Sequence, residues 1–146
     1  MSRSGYVDDY DDAARLNLYR GTVARAIRGK RGQAFLREMA AALDAMPVKE
    51  LVADEVVRDS QHVCAMGAVA LARGLDVSRL EVEDGDAVGA TFGIARALAC
   101  EIAYENDECG DRFRDGKLHA ETPEERWTRM RKWVDEQLLK GTTVMT

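Results

Sequence analysis

The sequence predicts a mainly α protein, a compact single-domain helical bundle of about five helices. Three observations predict it. Apolar residues recur at spacings of three and four over most of the chain. Thr122-Pro123-Glu124-Glu125 supplies an N-cap threonine, an N1 proline and an N3 glutamate, the pattern that opens a helix. The 146 residues are 46% hydrophobic and 32% charged, a globular composition with enough chain for one core.

Residues 1–11 are polar and acidic and read as a flexible arm, residues 12–141 as the single helical domain, and residues 142–146 as a tail. Asp11 or Asp12 caps a first helix over Ala13 to about Arg28, with Leu16, Tyr19, Val23 and Ile27 on one face. Two glycines in Gly29-Lys30-Arg31-Gly32 interrupt it. A second helix follows from about Gln33 to Met46, striped by Leu36, Met39, Leu43 and Met46 and ended by Pro47. The short connection predicts an antiparallel helical hairpin.

Residues 48–63 fit either a short amphipathic helix or a small β-hairpin near residues 50–63, because Leu51, Val52, Val56 and Val57 satisfy both patterns. A helix over Cys64 to Arg73 ends at Gly74, the position where a left-handed cap is expected. An acidic loop spans Leu75 to Asp86. Val88 and Phe92 make a turn or two before a longer helix bearing Ala95, Leu98, Ala99 and Ile102, which ends near Asn106. Residues 107–121, with Gly110 and Gly116, read as a surface loop. The last helix buries Trp127, Met130, Val134 and Leu138 and stops at Gly141.

The composition excludes some functions. No apolar run approaches the ~18 residues needed to cross a bilayer, and MSRSGYVDDYDD lacks the apolar core of a secretory signal. A soluble cytoplasmic protein without a membrane partner is expected. Three cysteines, Cys64, Cys100 and Cys109, are an odd set that favours a reducing compartment over a disulfide framework. The net charge of −5 conceals a division: Ala13 to Arg37 holds seven basic residues and no acidic one, whereas Asp44 to Asp111 holds fifteen acidic against five basic.

Residues capable of chemistry are scattered. His62, Cys64, Cys100, Cys109 and His119 are zinc-binding types, but neither a Cys-x-x-Cys nor a closely spaced His pair is present, so no metal and no cofactor is expected. Cys64 as a nucleophile needs a base within hydrogen-bond reach, and His62 shares its face only if the backbone there is extended. The competing expectation is that Cys64 packs as a small hydrophobe and Gly67 permits close approach of another helix. Glu101, Glu105 and Glu108 align on one helix face, and the polar residues that follow predict a solvated helix end. Phe92-Gly93-Ile94 resembles the turn of a helix-turn-helix, yet the helix after it offers a single arginine to base edges.

Arg25, Arg28, Lys30 and Arg31 gather at a helix end and its turn, where glycines let a polyanion approach. Glu81, Glu83, Asp84 and Asp86 form the corresponding acidic loop. These eight are the candidate partner-binding residues; no catalytic residue is assigned.

The stretches GTVARAIRGKRGQAFLREMAAALDAMP, HVCAMGAVALARG, FGIARALACEIAYEND and ETPEERWTRMRKWV, in that order over roughly residues 5 to 138, resemble a family of small proteins encoded by tailed bacteriophages and prophages. The chain departs from that family around Asp59 to His62, where a simpler glycine-containing turn is usual. The resemblance implies a setting, an accessory protein in the cytoplasm of a bacterial host, and transfers no functional residue. The expected function is non-enzymatic: binding, and so inhibiting or redirecting, a host or anti-phage defence protein through a charged surface. The alternatives are a nucleic-acid-binding phage regulator that uses the basic 20–37 segment and a small enzyme centred on Cys64. A homo-oligomer is compatible with each.

Overall fold

A computed structural model describes residues 13–59 and 61–139; the expected arm and tail, the Asp11 or Asp12 cap and the Gly141 stop lie outside the described residues. The described chain forms six helices and two small antiparallel hairpins. In order these are α1 (Ala13–Arg28), α2 (Lys30–Ala45), β1 (Val57–Asp59), β2 (His62–Val63), α3 (Ala65–Arg73), α4 (Gly85–Phe92), α5 (Arg96–Glu108), β3 (Arg112–Arg114), β4 (Lys117–His119) and α6 (Pro123–Gln137). The mainly α expectation holds. The helix beyond the expected five is α4, which Asp84 caps by accepting a hydrogen bond from the Ala87 amide at 3.1 Å.

The core lies where α2 packs on α3 and α6, with α4 seated on α5 and α1 laid over α2 and α5. Leu36, Met39 and Leu43 of α2, Leu98 and Ile102 of α5, and Met130 and Val134 of α6 are fully enclosed, each such side chain contributing about 1.5–3 kcal/mol of hydrophobic stabilisation. Ala65 to Ala70 of α3 are all buried, as befits a helix of small apolar residues with no polar face in that stretch. Gly74 ends α3 in the left-handed conformation (φ 71°), as its position predicts. The capping box of α6 forms in full: the Thr122 hydroxyl accepts from the Glu125 amide at 3.1 Å and the Glu125 carboxylate accepts from the Thr122 amide at 2.9 Å.

Three expectations are corrected or resolved. The break after α1 is one residue, Gly29, and α2 begins at Lys30 rather than Gln33. Gly32 lies inside α2 because the chain turns so sharply that a Cβ there would strike the Ala26 and Ile27 carbonyls. Over residues 48–63 the hairpin forms and the helix does not: the Asp59 carboxylate accepts from the amides of Gln61 and His62 and so closes the turn. Residues 112–119, expected within a surface loop, pair as the second hairpin, because Asp115 (φ 53°) and Gly116 (φ 74°) make a tight two-residue turn.

Candidate binding surfaces

The α1–α2 corner brings the predicted cations together. Arg25, Arg28, Lys30 and Arg31 are all exposed around Gly29, and among the described residues none of them pairs with a carboxylate. Arg25 donates instead to the Thr22 hydroxyl at 3.3 Å. Burial on the α1 stripe is confined to Val23 and Ile27, leaving Leu16 and Tyr19 partly open and Leu18 70% exposed. Arg31 also borders a shallow depression of about 160 Å³ with Phe35, Arg73 and Phe92. There Arg73 is already neutralised: its guanidinium binds Glu38 through two 2.6 Å bonds, donates to the Phe92 carbonyl and lies over the Phe35 and Phe92 rings. That hydrogen bonding holds the Glu38 carboxyl below its ordinary pKa.

The acidic loop is only partly available. Asp84 caps α4 and Asp86 pairs with Arg96 at 3.2 Å, so these two of the predicted acids are engaged within the fold. Glu81 and Glu83 are exposed, and Val82 between them is buried.

Sulfur and imidazole do not converge. Cys64 is 2% exposed at the N-terminus of α3, and burial pushes its thiol up to about 12, so it is protonated at neutral pH. The backbone through Val63 and Cys64 is extended, yet the two side chains part: His62 is exposed and shares a 2.7 Å hydrogen bond with the Asp59 carboxylate, whereas Cys64, the residue that opens α3, is buried together with Val63. Gly67 does permit a close approach, but its neighbours are the Val56 carbonyl and Val63 of the β1–β2 region rather than another helix. Cys100 is buried against Gly85 and Arg96, and His119 is exposed on β4. Among the described residues no group of three or more His, Cys, Asp or Glu side chains is placed to hold a metal ion.

The carboxylates at the end of α5 differ from the expected solvated end. Glu108 is exposed, but α6 packs over Glu105, and burial raises the Glu105 pKa. Cys109 donates towards Glu105 at 3.6 Å, and its own thiol is pushed up to about 12 by burial and by that carboxylate. Beside them is a group that the sequence does not reveal. Glu121, with a side chain 4% exposed, receives two bonds from Arg129 at 2.6 and 3.0 Å and lies 3.3 Å from Arg126. Burial works against the Arg129 charge, yet the bond to Glu121 holds its pKa above the ordinary arginine value. Asn106, 1% exposed, accepts from the Ala65 amide at 3.1 Å and donates to the Val52 carbonyl at 2.9 Å, tying α5 to α3 and to the segment before β1.

The helix-turn-helix comparison has a structural outcome. α4 and α5 bend by 107° across Gly93, Ile94 and Ala95, and Gly93 has the left-handed φ of 75° that such a turn needs. The second helix is nevertheless ill suited to a groove: Ala97 to Cys100, Ile102, Ala103 and Asn106 are buried, and the positions not buried include Glu101, Glu105, Asp107 and Glu108, which phosphate repels. The motif geometry here organises the core.

Fold and surface together define a mainly α domain in which some described cations pair with carboxylates and those of the α1–α2 corner pair with none among the described residues. No single helix among them is long and apolar enough to cross a membrane. No protein-family model, no curated protein and no solved structure matches the chain.

Proposed function

We propose that the chain is a non-enzymatic binding protein, a phage or prophage accessory protein that docks on a host or anti-phage defence protein in the bacterial cytoplasm and inhibits or redirects it. The observation that carries this reading is the α1–α2 corner, where Arg25, Arg28, Lys30 and Arg31 are exposed and without a carboxylate partner among the described residues. Cations bound to a carboxylate must break a pair before they can contact a partner; these have no described pair to break. The partner's complementary surface is therefore acidic. The exposed Glu81 and Glu83 form a secondary contact in this reading, together with Asp84 and Asp86. Cys64 takes no part.

A pull-down from host lysate with tagged protein identifies the partner, and titration of that partner against Arg28→Ala/Lys30→Ala/Arg31→Ala tests the surface. Affinity falls by about tenfold or more in the variant and weakens steeply with salt, as it does for exposed charges. An affinity indifferent to both changes rejects the reading. Binding of generic DNA or RNA by the wild type at physiological salt, lost in the same variant, assigns the corner to nucleic acid instead.

A further inference from the structure

The β3–β4 ribbon carries a second cationic surface, and the geometry points to a contact with duplex nucleic acid through it, independently of the α1–α2 corner. The strands pair in the register Arg112↔His119, Phe113↔Leu118 and Arg114↔Lys117. Cross-strand partners share a face and neighbours along a strand alternate faces. One face therefore holds the positions of Arg112, Arg114, Lys117 and His119 and no acidic position, while the opposite face holds Phe113 and Leu118. Lys117, Leu118 and His119 are all exposed, Leu118 to 60%. The ribbon's one acid, Asp115, occupies the turn at its tip.

The ribbon is held out from a fixed base. Its main packing partner is its own other strand. At its foot the Glu121 amide donates to the Asp111 carboxylate at 3.2 Å, and the Glu121 side chain is clamped by Arg129 and Arg126. A surface anchored in this way loses little further freedom on binding.

Three basic positions and a histidine with no acid among them call for a polyanion, and the shape selects which one. A duplex major groove, roughly 12 Å wide, admits a two-stranded ribbon between two phosphate walls. The basic positions lie on both strands, so each strand faces one wall, and alternate residues of a strand stand about 7 Å apart along it. With phosphate contacts dominant, binding is sequence-tolerant and weak, with a Kd on the order of 10⁻⁴ to 10⁻⁶ M at physiological salt.

Fluorescence anisotropy of a short random-sequence DNA duplex, titrated with the full chain, tests this. The wild type binds at low salt and loses about tenfold in affinity between about 50 and about 200 mM. Lys117→Glu/His119→Glu weakens binding by about tenfold or more, and Lys117→Ala alone lowers the salt slope by about one. Arg28→Ala/Lys30→Ala/Arg31→Ala leaves duplex binding unchanged, so failure of the corner reading and failure of this one give different results. Absence of duplex binding at low salt overturns the inference. Wild-type affinity in the ribbon variants, or loss of binding only in the corner variant, overturns it too. Tighter binding of polyglutamate than of the duplex overturns it in favour of an acidic protein. All the ribbon substitutions lie at exposed positions, and unchanged circular dichroism and Tm confirm that the variants fold.

Discussion

Arginine meets two fates in this molecule. On α6, Arg126 and Arg129 close on the buried Glu121, and Arg131 bridges Asp44 at 2.8 Å and Asp135 at 2.7 Å. At the α1–α2 corner, Arg25, Arg28 and Arg31 are exposed and pair with no carboxylate among the described residues. The side chain is the same, but α6 holds four acids beside its four cations whereas Ala13 to Arg37 holds none. What the fold brings opposite adds to that difference. α6 runs along α2 from Leu43 to Gln33 and crosses the acid-bearing end of α5, while no described carboxylate reaches the corner. A charge count along the chain thus overstates what is available for partners, and pairing decides what remains.

Breaking the internal side of this contrast has the largest effect. Glu121→Ala leaves Arg126 without its carboxylate and Arg129 with only Glu105, 4.0 Å away, and costs about 3 kcal/mol in urea unfolding. It also frees the base of the β3–β4 ribbon. Asn106→Ala removes the partner of the Ala65 amide and of the Val52 carbonyl inside the core and costs about 2 kcal/mol by the same measurement. A loss within about 0.5 kcal/mol in either variant means that the paired groups are as dispensable as the exposed ones, and the contrast fails.

Glu105 sharpens the comparison through pH. An acid whose pKa is raised on folding binds its proton more tightly in the folded state. It contributes stability below its unfolded value, near 4.5, and costs stability as pH climbs through the folded value. Glu105→Gln therefore raises Tm at pH 7 by a few degrees, and the gain disappears as pH falls below about 4.5. Glu38 behaves oppositely: its lowered pKa means that its contribution is present above the unfolded value and is lost as pH falls. Thermal melts of Glu105→Gln and Glu38→Gln across that range diverge in opposite directions if both assignments hold. The smallest stability effect belongs to the corner. Arg28→Ala/Lys30→Ala/Arg31→Ala changes unfolding free energy by no more than about 0.5 kcal/mol while it weakens partner binding by about tenfold or more.

The elements differ in how openly the sequence declares them. Thr122 to Glu125 and Gly74 are local devices, with the cap's donors and acceptors lying within a few residues, so α6 and the end of α3 were legible. Asp115-Gly116 between Phe113 and Leu118 is an equally local hairpin signal, hidden by the surrounding charges. Asp84 before Gly85 and Asp86 likewise marks the start of α4, but eight residues carry too little periodicity to stand out. The cations of the corner were legible as a group because Gly29 and Gly32 set the turn that gathers them.

By itself the sequence determined the helical class, most helix ends and the clustering of positive charge near residues 25–31, because each depends on residues close along the chain. Only the tertiary structure decided that Cys64 is sealed away from His62, that Asp84 and Asp86 are engaged within the fold, and that Glu121 binds two arginines while Arg28 binds no described carboxylate. Those outcomes rest on burial and on partners far apart in sequence, such as Asn106 and Val52. No local pattern encodes which groups a folded chain will bring within hydrogen-bond reach.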